Sequence, residues 1–564
     1  MRDRLTCFWR QGPFVLFALV FLASACAKIL LLGSRELWLD ETYSAFTAHL
    51  SFRQLLHFST GDVHPPLFSI LLWIWVRLVG DAENMLRLFS VVFNIAGMVL
   101  MFFLGRRILG PRFGALAAIL FAFSPMLFVY SLEVRNYMLF LFVLICLLSI
   151  HWRVAVEQNR SPGLTVLYSF LAATLFYTHY IGVFVLLGLF AHWVFCSIYV
   201  RQRLARVSLA AVLTLGFVAP GLPIAMTQYH LKKQMDHDLK RSHVDPSALS
   251  YGNEVSLQEF SGSLVKSAAA VAGFYPARSR ALILLLALPL VCVFGGIGYL
   301  ALFKGDELCR LLGMVVLTLS VGIVFVHHGN TRYVLPLVPL LVLAIARVLQ
   351  YWSASLRWQP VALAAAALLV FVYGAGFYRQ VLRPHGHPWQ NLVSRVQRGY
   401  HEGDQVVFDA LYAQVPFDYF AQHQAFRPKE TGFPISIYDW WSRQSFEGWS
   451  GPVVKLADLN RFVAAAPRAK TLWLVLYETY YYDPHEQLLR QLREKAQVTE
   501  VSLPADPDAE ISAEDPGLRL IRVTFPQAAP SSPAVPQASV ILAHNSNSAN
   551  SSSQPIAGKL IAEK

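Results

Sequence analysis

Leu37-Trp38-Leu39-Asp40-Glu41-Thr42-Tyr43 opens, and Gly61-Asp62-Val63-His64-Pro65-Pro66-Leu67 closes, the stretch on which the reading of this chain turns. Two adjacent carboxylates, Asp40 and Glu41, stand just past a first apolar segment, and Asp62 with His64 precedes the next one. A carboxylate costs about 2.5 to 3.5 kcal/mol at a bilayer centre, so acids clustered at a membrane edge point to a polar site built there. The competing reading is a solvated loop in which Asp40 caps a helix.

The segments flanking that stretch set the class. The chain has 564 residues, 55% of them hydrophobic and 15% charged. Its apolar runs approach the ~20 residues needed to cross a bilayer. They fall at 13–33, 86–104, 113–130, 135–151, 164–179, 180–200, 207–226, 281–303, 310–327, 333–350 and 360–379. This predicts an α-helical polytopic membrane protein with about 11 transmembrane helices. The net charge of +12 resides in short loops between apolar runs, which fits membrane orientation and argues against nucleic-acid binding. The first run exceeds a signal h-region and no small-residue cleavage site ends it, so it reads as a retained helix. Cys7, Cys26, Cys146, Cys196, Cys292 and Cys309 lie in or beside apolar runs without a Cys-x-x-Cys spacing. Neither a disulfide framework nor a cysteine metal site is expected from that pattern.

Residues 65–80 form a short apolar run that starts with Pro65-Pro66 and carries Arg77. If it crossed, the basic loop 105–112 would lie outside, against the positive-inside bias. Placed along the interface or as a re-entrant helix, it puts every basic loop on one side. The opposite, outer side then collects the Asp40–His64 stretch, Asp81 to Arg87, residues 131–137, Tyr177-Thr178-His179-Tyr180, the long loop 227–280 and His327-His328-Gly329-Asn330-Thr331-Arg332-Tyr333.

Past residue 379 the composition becomes that of a soluble domain. Helical patterns run from His387 to Tyr400 and from Pro484 to Lys495, and strands are predicted at 404–408, 471–477 and 518–525. An odd number of crossings places this small α/β domain outside. The expected division is a transmembrane domain at 1–379, an extracytoplasmic domain at 380–526 and a disordered tail at 527–564.

Carboxylates, arginines and histidines gathered at an outer membrane face have a specific chemical use. A carboxylate can take a proton from an acceptor hydroxyl or amine, while arginines neutralise a phosphate as its bond to carbon breaks. Asp40 and Glu41 are the candidate catalytic acids. Asp62, His64, Arg87, Arg135, Tyr137, His179, Arg332 and Tyr333 are candidates for substrate binding, with the three arginines facing phosphate. Snorkelling to headgroups or anchoring at the interface is the competing role for each arginine. His64, His179, His327 and His328 could instead hold a divalent metal cation with Asp40 or Asp62, although no recognised ligand spacing occurs.

At these residues the chain resembles a known group. The Asp-Glu pair, the Asp-Val-His-Pro-Pro-Leu run and the arginine at the next helix start resemble the first external loop of dolichyl-phosphate-mannose protein mannosyltransferases. Ser124-Pro125, Tyr-Ser-x-Glu-x-Arg-x-Tyr from Tyr130 to Tyr137, Tyr-Thr-His-Tyr, and Arg332 through Pro339 resemble bacterial family-39-like and aminoarabinose-transferase-like enzymes. The resemblance covers about residues 30 to 400. It implies the C-type glycosyltransferase fold with interfacial helices and makes Asp40 the catalytic carboxylate. The chain lacks the carbohydrate-binding-like repeats of the eukaryotic mannosyltransferases and carries its own short outer domain.

The function expected is an integral membrane glycosyltransferase of the inner (cytoplasmic) membrane. It would move one sugar, with inversion, from a polyprenyl-phosphate sugar donor to a glycolipid, polysaccharide or protein acceptor on the outer face. A flippase of lipid-linked sugars would place its charges near the midplane in repeated halves. A non-catalytic scaffold for polysaccharide assembly would need no clustered acid.

Overall fold

The computed structural model describes residues 2–198, 201–241, 280–326, 331–382, 388–441, 456–466, 469–477, 479, 483, 486–504 and 517–526. The chain divides into two compact units, one comprising 1–232 and 249–385, the other 233–248 and 386–564. The expected tail, His327, His328 and most of the 227–280 loop lie outside the described residues.

The first unit is an α-helical membrane bundle, as the apolar runs predict. Helix α1 (Arg2–Leu30) leads to α2 (Leu39–His49), α3 (Phe52–Gly61) and α4 (Leu67–Val79), so the acid-rich stretch is two short helices rather than a loop. Ser51 explains the break between α2 and α3, because its Oγ accepts from the Gln54 amide as an N-cap. Pro66 sets the start of α4. With 13 residues, α4 is about 20 Å long, short of a ~30 Å hydrocarbon core.

The expected runs 86–104 and 113–130 are joined more tightly than the basic loop between them suggests. Residues Glu83–Ala122 (α5) form a helical hairpin whose only interruption is Gly110, at φ 76°. Its two arms touch backbone to backbone: a Cβ on Gly114 would lie 2.3 Å from the Arg106 nitrogen, which only glycine permits. Ser124 and Pro125 then restart the chain as α6 (Pro125–Ser131).

Helices α7 (Tyr137–His151), α8 (Pro162–Thr178), α9 (Gly182–Ser197), α10 (Arg201–Val218), the first half of α11 (Leu222–Arg241, of which residues from 233 belong to the second unit), α12 (Arg280–Phe303), α13 (Glu307–Val326), α14 (Leu337–Ser353) and α15 (Gln359–Leu382) complete the unit. The expected runs fall on α1, α5, α6 and these helices, with 113–130 broken between α5 and α6 at Ser124 and 207–226 broken between α10 and α11 at Pro220. The 227–280 loop does not begin where polarity suggested, because α11 continues to Arg241 past the bend at Pro220. Helices α9 and α13 pack closely, since a Cβ on Gly188 would meet the Val315 Cα at 2.8 Å.

The second unit carries a five-stranded sheet in the order β2-β1-β3-β5-β4. Strands β1 (Gln405–Asp409), β2 (Glu430–Gly432) and β3 (Thr471–Leu476) are parallel, and β4 (Gln497–Val501) and β5 (Arg519–Thr524) join antiparallel. Every residue of β3 is buried, as a strand covered on both faces requires. Its core is Val407, Leu472, Leu474, Leu476, Ile521 and Val523 against Leu488, Leu489 and Leu492 of the Gln487–Lys495 helix. The three predicted strands and two predicted helices are present. The short β2 and the exposed edge strand β4 carried too weak an alternation to be read.

Candidate active site

The site is assembled on the first turn of α2. Asp40 and Glu41 both sit there, where the positive end of the helix favours carboxylates. The C-terminal end of α2 is held from α4: Arg77 donates to the carbonyls of Ala48 at 3.0 Å and Leu50 at 3.1 Å, and Trp73 Nε1 donates to Leu50 at 2.8 Å. The guanidinium lies 3.6 Å over the Trp73 ring, which orients it.

The two acids have different surroundings. Glu41 is 2% exposed and its oxygens accept from Arg87 Nε at 3.2 Å, Arg87 Nη2 at 3.0 Å, the Val134 amide at 2.9 Å and the Trp38 amide at 3.2 Å. Arg87, 1% exposed, spends its remaining donors on the carbonyls of Leu32, Arg35 and Glu36. The geometry therefore turns these two predicted site residues toward each other and toward backbone. Asp40 is different: its side chain is 17% exposed and its Oδ2 lies 3.4 Å from Arg135 Nη2.

Arg135 belongs to the loop between α6 and α7, which is fastened at three points. Glu41 accepts from the Val134 amide, Ser90 Oγ donates to the Glu133 carbonyl at 2.6 Å, and Asn136 Nδ2 donates to the Thr178 carbonyl at 2.9 Å. The last bond ties the loop to the end of α8, beside His179. Arg135 feels the charges of Asp40, Asp62 and Arg332 together. Arg332, from a turn at Thr331–Val334, donates to the Tyr137 hydroxyl at 3.4 Å.

His64 Nδ1 stands 3.5 Å from Asp62 Oδ1. Burial acts to raise the Asp62 carboxyl, but the His64 hydrogen bond and charge, Arg135 and the Val63 amide outweigh it, so it titrates below the ordinary aspartate range. Gln228 of α11 donates to the His64 carbonyl at 3.0 Å and also to that of Ser59, while accepting from Tyr180. The His179 ring meets those of His64 at 5.3 Å, Tyr333 at 6.1 Å and Tyr137 at 6.5 Å between centroids. Its Nδ1 accepts from the Ile181 amide, which leaves Nε2 as the protonated nitrogen of the neutral ring. The divalent cation considered for this cluster finds Asp62 and His64 in mutual contact, with His179 beside His64.

Two further residues enter that the sequence did not single out as site members. Tyr43, one turn after Asp40, lies in the fields of Asp62, Arg135 and Asp40, and burial with those two acid charges pushes its hydroxyl well above the usual tyrosine value. Glu133, two residues before Arg135, is pushed up to about 8 by burial and by the Glu41 charge, against the pull of Arg35, Arg332 and Arg135. Its Oε2 is buried without a hydrogen-bond partner. The i+3 spacing from Asp40 and the shared 130–137 motif were the available signals.

A base-competent carboxylate, two guanidinium groups and a tyrosine hydroxyl thus gather in one polar cluster, lined by histidine and tyrosine rings. Such a set can accept one proton and hold one dianionic group.

Residues 63–224 match the family described as dolichyl-phosphate-mannose-protein mannosyltransferase. The fold is similar to that of ArnT from Cupriavidus metallidurans in the apo state, with 13% identity, TM-score 0.55 and coverage of 91% of this chain and 98% of that one. It is also similar to ArnT bound to undecaprenyl phosphate, at 15% identity, TM-score 0.52 and the same 91% and 98% coverage. The Archaeoglobus fulgidus oligosaccharyltransferase tethered to an acceptor peptide superposes with TM-score 0.51 at 11% identity, over 91% of this chain and 76% of that one. No curated protein matches the chain by sequence. The superfamily resemblance and the C-type membrane fold expected from the motifs are borne out.

Proposed function

We propose that this chain is a membrane glycosyltransferase that takes a sugar from a polyprenyl-phosphate donor. The observation that carries the reading is the Asp40 carboxylate 3.4 Å from Arg135, partly open to solvent, in the cluster that also holds Arg332 and Tyr137. The family match over 63–224 and the undecaprenyl phosphate bound by a protein of the same fold support it.

Asp40 takes the proton of the acceptor hydroxyl or amine as that atom attacks the anomeric carbon. The bond from that carbon to the phosphate oxygen breaks, and its electron pair leaves with the polyprenyl phosphate. Arg135 and Arg332 neutralise the growing charge, and the Tyr137 hydroxyl orients Arg332. One displacement inverts the anomeric centre. Glu41 and Arg87 serve as positioning residues that hold α2 and the 132–136 loop in register. His64, His179 and Tyr333 shape the wall on the donor side. Transfer takes place on the outer face of the inner membrane, with a glycolipid, polysaccharide or protein as acceptor.

Asp40→Asn in the purified chain should lower turnover by about 10²- to 10⁴-fold, the usual contribution of a positioned base, while binding of a polyprenyl-phosphate probe persists. Unchanged turnover would sink the assignment of the base. A deletion strain whose envelope glycolipids and glycoproteins show no altered glycan by mass spectrometry would count against the transferase.

A further inference from the structure

A second constellation lies at the other end of α9, about 15 Å along the helix axis from its start beside His179. His192 and Cys196 stand one turn apart on the last turns of α9, and Glu307 opens α13. Three donor atoms of different chemistry face one another there. His192 Nε2 is 3.4 Å from Glu307 Oε2, Cys196 Sγ is 3.6 Å from Glu307 Oε2, and Cys196 Sγ is 3.8 Å from His192 Nε2.

These edges have the size of one face of a metal tetrahedron. Zinc bonds of about 2.0 Å to nitrogen and oxygen and about 2.3 Å to sulfur, at tetrahedral angles, put neighbouring donors roughly 3.3 to 3.5 Å apart. The observed triangle is wider by no more than a few tenths of an ångström, which small side-chain adjustments supply.

The surroundings are those of ligands already oriented. Glu307 Oε1 is taken by Arg310 Nη1 at 3.0 Å, which turns Oε2 toward the other two donors. His192 Nε2 lies 3.1 Å from the Glu307 backbone carbonyl and Nδ1 lies 3.1 Å from His151 Nε2, so without a cation Nε2–H donates to that carbonyl and Nδ1 accepts from His151. A cation at Nε2 would displace that proton, and the contact between Nδ1 and His151 would then be the outer bond that ligating histidines usually make. His192 and His151 are fully buried, and His151 Nδ1 has no partner. Nothing in the proposed transfer uses this cluster.

We infer that His192, Cys196 and Glu307 bind one zinc-like divalent cation that ties α9 to α13. The mixed nitrogen, sulfur and oxygen set suits zinc over magnesium or calcium. Three protein ligands leave a fourth position for water. The site departs from the expectation that no cysteine serves a metal here. That expectation searched for Cys-x-x-Cys, whereas Cys196 and Glu307 are 111 residues apart.

The test uses the full chain purified in detergent, washed with a weak chelator, then loaded with Zn²⁺ or Co²⁺ and desalted. Elemental analysis should find about one zinc per chain. The Co²⁺ form should show tetrahedral visible bands and a near-ultraviolet thiolate-to-cobalt band. Cys196→Ser should lose the thiolate band, and His192→Ala should lose the metal. If His192→Ala does not fold, Cys196→Ser alone decides. No retained metal in the unsubstituted chain, retention in both variants equal to the parent's, or a cobalt spectrum unchanged by Cys196→Ser would each overturn the site. Transfer activity is read separately with Asp40→Asn, so loss of this inference leaves the proposed function standing.

Discussion

Glu41 is the sequence neighbour of the proposed base, and Arg87, 46 residues on, is its partner in space. Breaking a buried pair strands one uncompensated charge, typically at a cost of about 3 to 5 kcal/mol. Glu41→Gln and Arg87→Met should therefore lower the unfolding temperature in detergent sharply, whereas Asp40→Asn should leave it close to that of the parent. Glu133 offers a test by pH. Its carboxyl is raised to about 8 in the folded chain from an ordinary 4.5, so the folded state binds the extra proton between those values. Stability conferred by the neutral form is present at low pH and is lost as pH climbs toward 8. Above that, a new negative charge faces Arg135 and Arg332, and KM for the polyprenyl-phosphate donor should rise. Glu133→Gln should flatten both profiles, and a slope that survives the substitution assigns the titration elsewhere. Residue type and position alone made Asp40, Arg135 and Arg332 readable as candidates. They did not separate Asp40 from Glu41, because which of two adjacent acids is sealed depends on Arg87 and the Val134 amide, 46 and 93 residues away.

The α5 hairpin is an element with little tolerance for added bulk. An added methyl at Gly114 has nowhere to go but into the Arg106 backbone, and forced overpacking usually costs about 1 to 3 kcal/mol. Gly114→Ala should reduce the yield of monodisperse protein in detergent, with Gly216→Ala, which meets nothing within 4 Å, as the control. Helix α2 depends on α4 in the same sense: Arg77→Ala removes the donors to Ala48 and Leu50, and turnover should fall while donor affinity holds. Hydrophobic periodicity made the apolar helices readable because their length and composition carry the signal alone. The hairpin was read as two helices and a loop, since eight residues containing three arginines look like a connection until Gly105 and Gly114 are seen in contact.

The whole molecule is described as two units, and charge alone argued for their membrane topology. A reporter fused after residue 385 should be active only on the outer side; a cytoplasmic signal there would reverse the orientation proposed for the site. The second unit has a core of its own, and inside it burial, with the charges of Asp483 and Glu486, pushes the Asp409 carboxyl well above its usual range. Its neutral form stabilises the fold at low pH and that stability is lost as pH rises, so Asp409→Asn should raise the unfolding temperature of this unit at neutral pH. The sheet's central strands were readable from β-branched and apolar runs. Its order was not, because β5 inserts between β3 and β4 by pairings that no local pattern announces. The guanidinium of Arg87 leaves the ribosome 46 residues after the carboxylate of Glu41. Until it arrives, the nascent acid must wait hydrated at the bilayer rim, so a translational stall or truncation before α5 leaves a marked intermediate that membrane quality-control proteases can recognise.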